Sequence, residues 1–320
     1  MPDAPLPLVV IADPIDRIAL ELLQKGPCRV VDASATPEAL DAALPEAWGL
    51  LVRSRTKVNS ALLAKAPHLT LVARAGVGVD NVDLPAATAR GVRVVNAPTA
   101  ATVAVAELTV AFLLLLARGL YPRVVDTKGG GWKRGENGGE LRGKTVGFVG
   151  YGRIARETAK RLAPFGVTCV GHDPFVTASP DGTELLPLDD LLARSDFVSL
   201  HAALTPENHH LIDAARIARM KKGAALVNVA RGALVDEEAL LAALDDGRLS
   251  GAALDVFEVE PPSRPKLVAH PRVIATPHLG ASTKEGQSLA GRQVAEETLR
   301  ALRGEPLQAL VNPEAAGKSA

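Results

Sequence analysis

Arg231, Glu260 and His278 have the types and order needed to move a proton beside an anchored carboxylate. Arginine's planar fork grips a carboxylate through two parallel hydrogen bonds. A glutamate beside a histidine favours the charged imidazole and fixes which ring nitrogen holds the proton. With a nicotinamide cofactor supplying the hydride, this set reduces a 2-oxo acid or oxidises a 2-hydroxy acid. Taken singly, each residue has a plainer reading: a surface salt bridge, a solvated loop acid, a structural histidine. What joins them is position, because each follows a predicted strand end, where open α/β sheets bind their ligands.

Upstream lies Gly147-Phe-Val-Gly150-Tyr-Gly152-Arg153-Ile154-Ala155, between an apolar strand pattern and a helical one. Gly150 permits a tight turn, and Gly152 lets a pyrophosphate approach free amides at a helix N-terminus. Ala155 stands in the third position, where alanine replaces glycine. The next strand ends at Asp173, at the roughly 20-residue spacing of an acid that binds the adenosine ribose. A carboxylate there repels a 2′-phosphate, so NAD is expected over NADP. Arg153 is placed to touch the pyrophosphate. His201 closes a strand and is expected to line the cofactor site. His209, His210 and His270 have no evident acid–base partner in the sequence.

The elements that must hold these residues alternate. Short apolar strands are predicted at 8–12, 28–31, 50–53, 69–74 and 92–95, with helices at 15–24 and 60–66. The pattern recurs with strands at 145–149, 168–171, 197–200, 225–228, 252–255 and 273–275. Such alternation means parallel sheets covered on both faces. A long helix is predicted at 103–118, followed by a glycine-rich segment, 129–139, whose Trp132 suggests docking, for instance on a second subunit.

Composition sets outer bounds. The 320 residues suggest two domains. Lys plus Arg and Asp plus Glu are 36 each, so no long-range field gathers nucleic acid or an anionic membrane. Neither a nucleic-acid nor a membrane partner is expected. Cys28 and Cys169 lie far apart in apolar runs, so buried thiols are expected, with no disulfide and no metal site. The longest apolar run, 108–117, is shorter than the ~20 residues that span a bilayer. The N-terminal residues carry no leader pattern, so a cytoplasmic location is expected.

On these pieces the chain resembles the D-isomer-specific 2-hydroxyacid dehydrogenases over nearly its whole length. They are Gly150-Tyr-Gly152-Arg-Ile-Ala with Asp173, Asn228-Val-Ala-Arg231-Gly, Leu254-Asp-Val-Phe-Glu-Val-Glu260-Pro-Pro and Pro277-His278-Leu-Gly-Ala-Ser-Thr. The resemblance implies an α/β fold of two Rossmann-like, doubly wound parallel-sheet domains with an active-site cleft between them. Residues 1–98 and 284–320 would form a discontinuous substrate-binding domain, and 99–283 the NAD-binding domain. It implies that Arg231 binds the substrate carboxylate, that His278 exchanges the proton and that Glu260 supports His278. Asp255 would hold the nicotinamide carboxamide, with Ile154, Thr205, Ala230 and Gly280 also on the cofactor.

The backbone at Val77 and Gly78 would cradle the carboxylate. Arg53, Lys57 and Arg74, with Arg134 from a partner subunit, would meet a phosphate if the substrate carries one. Self-association as a homodimer or tetramer is implied through the helix at 103–118 and the loop after it. Two departures stand out. The Gly-Asn pair frequent after Asn-Xaa-Pro is Ala100-Ala101 here, and a usual proline after His201 is Ala203. Longer members carry regulatory C-terminal domains, whereas this sequence runs to Val311-Asn-Pro-Glu and a short polar tail, so a short form is expected. The alternative within this scaffold is a hydroxypyruvate or glyoxylate reductase. The alternative from another class is an NAD-sensing, corepressor-like binding protein, which turnover would exclude.

Overall fold

Short runs of β-branched and aliphatic residues make the sheets, and in both units the central runs are buried on both faces, while the edge strands Arg29–Asp32 and Glu184–Leu185 are largely exposed. The computed structural model describes residues 5–132, 134 and 137–317. Lys133, Gly135 and Glu136 of the glycine-rich segment lie outside the described residues, as do the first four and last three residues. The chain divides into one unit of Met1–Ala101 with Ala281–Ala320 and a second of Thr102–Gly280.

The first unit contains β1 (Leu8–Ile11), β2 (Arg29–Asp32), β3 (Ala47–Val52), β4 (Leu71–Arg74) and β5 (Arg93–Val95). They form a parallel sheet in the order β2-β1-β3-β4-β5. Side chains alternate across it. Val10, Leu50, Val52 and Val72 enter one core, and Val9, Ile11, Leu51 and Leu71 enter the other. The second core is closed by the helix Lys284–Leu302 through Ala290, Val294, Ala295 and Leu299. That packing makes residues after 280 part of this unit. Asn312 then accepts the Val94 amide at 2.7 Å and donates to the Val92 carbonyl at 3.0 Å, stitching the C-terminal segment to β5.

The second unit contains β6 (Thr145–Val149), β7 (Thr168–His172), β8 (Glu184–Leu185), β9 (Phe197–Leu200), β10 (Ala224–Asn228), β11 (Leu249–Leu254) and β12 (Val273–Ala275). Its parallel order is β12-β11-β10-β9-β6-β7-β8. The chain winds outward in both directions from β6. The carboxyl end of β6 is therefore a topological switch point, where such sheets open a crevice for ligands. The helix Thr102–Arg118 packs on the helix Arg153–Leu162, and its Phe112 and Leu113 are buried with Phe148 and Leu162. Among the described residues no single helix is long and apolar enough to cross a membrane.

The sequence-based element reading missed β8 and several helices, among them Glu237–Asp245, Lys284–Leu302 and the helix Leu120–Lys128. A two-residue strand carries no periodicity. In the helix, Pro122 sits in the first turn, where its missing N–H costs nothing. Cys28 is buried and Cys169 half-buried, and both are free thiols. Burial raises both thiol pKa values, that of Cys169 to about 11.

Candidate active site

At the β6 switch point Gly150 has φ +88°, and a Cβ there would lie 2.6 Å from the Ala202 amide. Only glycine meets both conditions. Gly152 caps the helix Arg153–Leu162 without any side-chain hydrogen bond, and open space faces the position of its absent Cβ. The first amides of that helix are thus left for an anion, in a cradle that a pyrophosphate fits. Ile154 is half-buried, Ala155 is fully buried behind the turn, and Arg153 is exposed. Asp173, just past β7, accepts the Tyr151 amide at 3.0 Å and the Phe175 amide at 2.9 Å. It remains half-exposed, so its carboxylate has acceptor capacity for a ribose hydroxyl.

His201, just past β9, bonds Ser199 Oγ through Nε2 at 2.9 Å and packs on Phe148. Its Nδ1 is buried with no hydrogen-bond partner among the described residues, and burial pushes the imidazole pKa down to about 3. It is therefore a neutral ring lining the switch point. Thr205 caps the short turn Pro206–Asn208, accepting from Asn208 while its own amide donates to Asn208 Oδ1.

Arg231, Glu260 and His278, the residues expected to transfer the proton and anchor the carboxylate, follow the β10, β11 and β12 ends of the same sheet. His278 Nδ1 lies 2.8 Å from Glu260 Oε2, and the other oxygen of Glu260 accepts the Phe257 amide at 3.2 Å. Half of the His278 side chain is exposed, which leaves Nε2 open to an incoming molecule. His278 has φ +50°, a left-handed conformation rare outside glycine. Its amide is held there by the Asp255 carbonyl at 2.8 Å and the Thr276 carbonyl at 3.0 Å.

Asp255 itself is buried. Its carboxylate accepts Thr276 Oγ1 at 2.6 Å, the Leu279 amide at 2.9 Å and the Gly280 amide at 2.7 Å. Asp255, expected as a nicotinamide contact, thus also holds the loop that presents His278. Arg231, just past β10, is half-buried, with Nη1 donating to the Ala230 carbonyl at 2.7 Å. Asn228 fixes that turn by donating to the Arg231 carbonyl and accepting the Ala230 amide. A Cβ on Gly232 would lie 1.8 Å from the Phe257 carbonyl carbon. Glycine at 232 therefore lets the Arg231 turn lie against the loop that carries Glu260.

In the first unit the basic residues gather at the switch point between β1 and β3. Buried Asp13, just past β1, accepts the amides of Arg53 at 2.7 Å, Arg55 at 3.2 Å and Thr56 at 3.1 Å. It also accepts Thr56 Oγ1 at 2.5 Å and pairs with Arg55. Burial raises the Asp13 pKa, but these hydrogen bonds outweigh it and the net shift is downward. Arg55 is thereby committed to structure, whereas Arg53 is half-exposed and Lys57 exposed. Arg74 donates to the Arg53 carbonyl at 3.1 Å, and its guanidinium lies across Gly76. Arg53, Gly76, Ala100, Ala101 and Gln287 are among the residues lining a pocket of about 40 Å³. The Ala100-Ala101 departure thus puts methyl groups on that wall. Val77 and Gly78 are half-buried on the loop after β4, where Asn96 donates to the Val77 carbonyl.

Several contributors escaped the sequence reading. Asp13 had one signal, an acid directly after an apolar strand. Asn81, which donates to the Arg53 and Thr56 carbonyls, had none. Tyr151, inside the glycine motif, donates its hydroxyl proton to Asp181 at 3.0 Å and accepts from Thr183 Oγ1 at 2.6 Å, pinning the segment after Asp173. The reading of His209, His210 and His270 as lacking an acidic partner is corrected: the first two rings face Glu258 Oε1, at 3.3 and 3.0 Å, and His270 Nε2 lies 3.5 Å from Asp245 Oδ1.

A switch-point glycine turn, an acid after the next strand and a buttressed His–Glu pair on one parallel sheet define a dinucleotide-dependent dehydrogenase architecture. The chain belongs to the D-isomer specific 2-hydroxyacid dehydrogenases, and residues 110–280 match that family's NAD binding domain. It is 48% identical over 312 residues to a D-3-phosphoglycerate dehydrogenase of Mycobacterium tuberculosis, covering 96% of this chain and 59% of that one. It is 44% identical over 309 residues to one of Methanocaldococcus jannaschii, covering 95% and 59%. The chain thus spans about three fifths of the length of these relatives. A glyoxylate reductase from Paecilomyes thermophila superposes with a TM-score of 0.88 at 28% identity, covering 97% of this chain and 100% of that one.

Proposed function

We propose that the chain is an NAD-dependent oxidoreductase that interconverts 3-phosphoglycerate and 3-phosphohydroxypyruvate, the reaction its curated relatives are named for. The observation that carries this reading is the 2.8 Å contact of His278 with Glu260, in the unit that also bears the glycine turn. NAD, when bound, would supply hydride chemistry at C2 of the substrate. Glu260 accepts the Nδ1 proton of His278, so Nε2 takes the hydroxyl proton in oxidation and returns it to the carbonyl oxygen in reduction. Arg231 anchors the substrate carboxylate. Arg53, Lys57 and Arg74 serve the phosphate. Reaction at this site would open L-serine biosynthesis.

The deciding experiment is NADH oxidation by the purified chain with phosphohydroxypyruvate, hydroxypyruvate and glyoxylate, compared by kcat/KM. Preference for the phosphorylated acid supports the proposal. Preference for the unphosphorylated acids leaves cofactor and proton relay in place and moves the function to a hydroxypyruvate or glyoxylate reductase. The methyl-lined wall at Ala100 and Ala101 favours that second reading. No turnover on any of them favours the NAD-sensing binding protein.

A cytoplasmic homodimer fits this proposal. The helix Leu120–Lys128 exposes Leu120, Tyr121, Val124 and Val125, and Trp132 beyond it is 77% exposed. Apolar surface of this kind marks an interaction face. Light scattering of the eluting protein gives the oligomeric mass directly.

A further inference from the structure

His209, His210 and Glu258 have no place in the proton relay, yet their ligand atoms lie within 4.8 Å of one another. From them we infer a binding site for a divalent transition metal ion, with two imidazoles and one carboxylate as donors. The spacing is what a metal requires. Zinc–nitrogen and zinc–oxygen bonds of ~2.0–2.2 Å, opened to a tetrahedral angle, separate neighbouring donors by roughly 3.3 Å. Glu258 Oε1 stands 3.3 Å from His209 Nε2 and 3.0 Å from His210 Nε2. The two rings stack at 4.0 Å with both Nε2 atoms turned to that one oxygen. A single carboxylate oxygen is a crowded acceptor for two ring donors, but it is an ordinary third ligand for a shared cation.

The backbone holds this arrangement from both sides. His210 has φ +52°, a conformation unfavourable for a residue with a Cβ. It is kept there by its amide bond to the Ala233 carbonyl at 2.7 Å and by the bridge of Ile212 to Val235. The Thr205–Asn208 cap fixes the turn just before His209. On the other side, the Glu258 amide donates to buried Glu237 at 2.8 Å, and Glu237 pairs with Arg264. Preorganised donors lose little entropy on binding. Two imidazoles and one carboxylate select zinc, nickel or copper over magnesium or calcium, and leave coordination positions to water. Glu258 lies two residues before Glu260, so a metal here would also tether the loop that supports His278.

The test is titration of the untagged full chain with Zn²⁺, followed by calorimetry and by thermal unfolding. The informative variant is His210→Gly. It removes one donor while glycine accepts the φ of 52° without strain, so the fold is retained or slightly stabilised. His209→Ala and Glu258→Gln remove the other two donors. The expected result is one saturable Zn²⁺ site per chain that raises Tm. Each variant should weaken it by more than about tenfold, since even indirect partners of a metal ligand are worth ~10–100-fold. Mg²⁺ should not compete. Unchanged Zn²⁺ affinity in His210→Gly and His209→Ala, or no saturable site in the parent chain, overturns the inference. NADH turnover is read in parallel, so failure of this site is distinguishable from failure of the proposed activity.

Discussion

Asp13 in the first unit and Asp255 in the second both follow a strand and are both 1% exposed. Each spends its carboxylate on amides and a threonine hydroxyl of a neighbouring loop. Asp13 fixes residues 53–56, which carry Arg53, and Asp255 fixes residues 276–280, which carry His278. Asp173 also follows a strand but stays half-exposed, and it spends its bonds on the Tyr151 and Phe175 amides. The difference is one of closure. Where a loop folds over the acid, the carboxylate becomes internal support for another residue's chemistry. Where the loop turns away, the carboxylate keeps acceptor capacity open to a ligand.

The sharpest break in this comparison is at the residue being supported. His278→Ala should lower kcat by about 10²–10⁴, the usual worth of a positioned proton-transfer group, with little change in Tm. Turnover within a fewfold of the parent chain would remove His278 from the proton path. Asp255→Asn should follow with a smaller fall in kcat. A carboxamide has one acceptor oxygen and presents an NH2 in place of the other, so the Leu279 or Gly280 N–H would face a donor. Leaving a buried group unpaired costs about 1–3 kcal/mol. Unlike His278→Ala, this variant should also lose Tm, and a kcat loss with an unchanged Tm would argue against the supporting role.

This contrast also marks what the sequence makes legible. Strand ends and their chemical residues were readable because apolar runs in a parallel sheet are buried on both faces and stop abruptly at polar residues. Thr145–Val149 with Gly150, and Val273–Ala275 with His278 beyond it, show this. The partners of those residues were not readable. Asp13 meets Thr56 and Asp255 meets Thr276 through contacts that cross from one strand end to another. His210 and Glu258 are 48 positions apart and meet only because the segments after β9 and β11 come together beyond those strands' ends. Periodicity reports which face a residue occupies, not which loop closes over it.

Asp173 supplies the next test, because an open acid should act on a ligand and not on the fold. Asp173→Ala should reduce the NAD over NADP preference by roughly tenfold, the equivalent of about 1.4 kcal/mol. Its Tm should change less than that of Asp13→Ala, which removes the acceptor for several buried donors. The comparison collapses if the cofactor ratio is unaltered while Tm falls.

A pH dependence separates the two units further. His201 is neutral in the fold, with burial holding its pKa at about 3 against an ordinary value of 6.5. Below 6.5 the unfolded chain takes up a proton that the folded chain refuses. Stability of the second unit therefore falls as pH drops from 6.5 toward 3, by at most about 1.4 kcal/mol per pH unit for this group. Asp13 is displaced downward from 3.8, so its contribution to the first unit is complete above that value. It is lost only as pH falls further, through the folded pKa. Between pH 6.5 and 4.5 the two groups thus predict different behaviour. In urea unfolding across this range, His201→Gln should flatten the decline in stability relative to the parent chain. Asp13→Asn should lower stability by a nearly constant amount. Parallel slopes for His201→Gln and the parent chain would mean that the imidazole gains a proton partner in the fold, and that the His201 ring is not held neutral at the switch point.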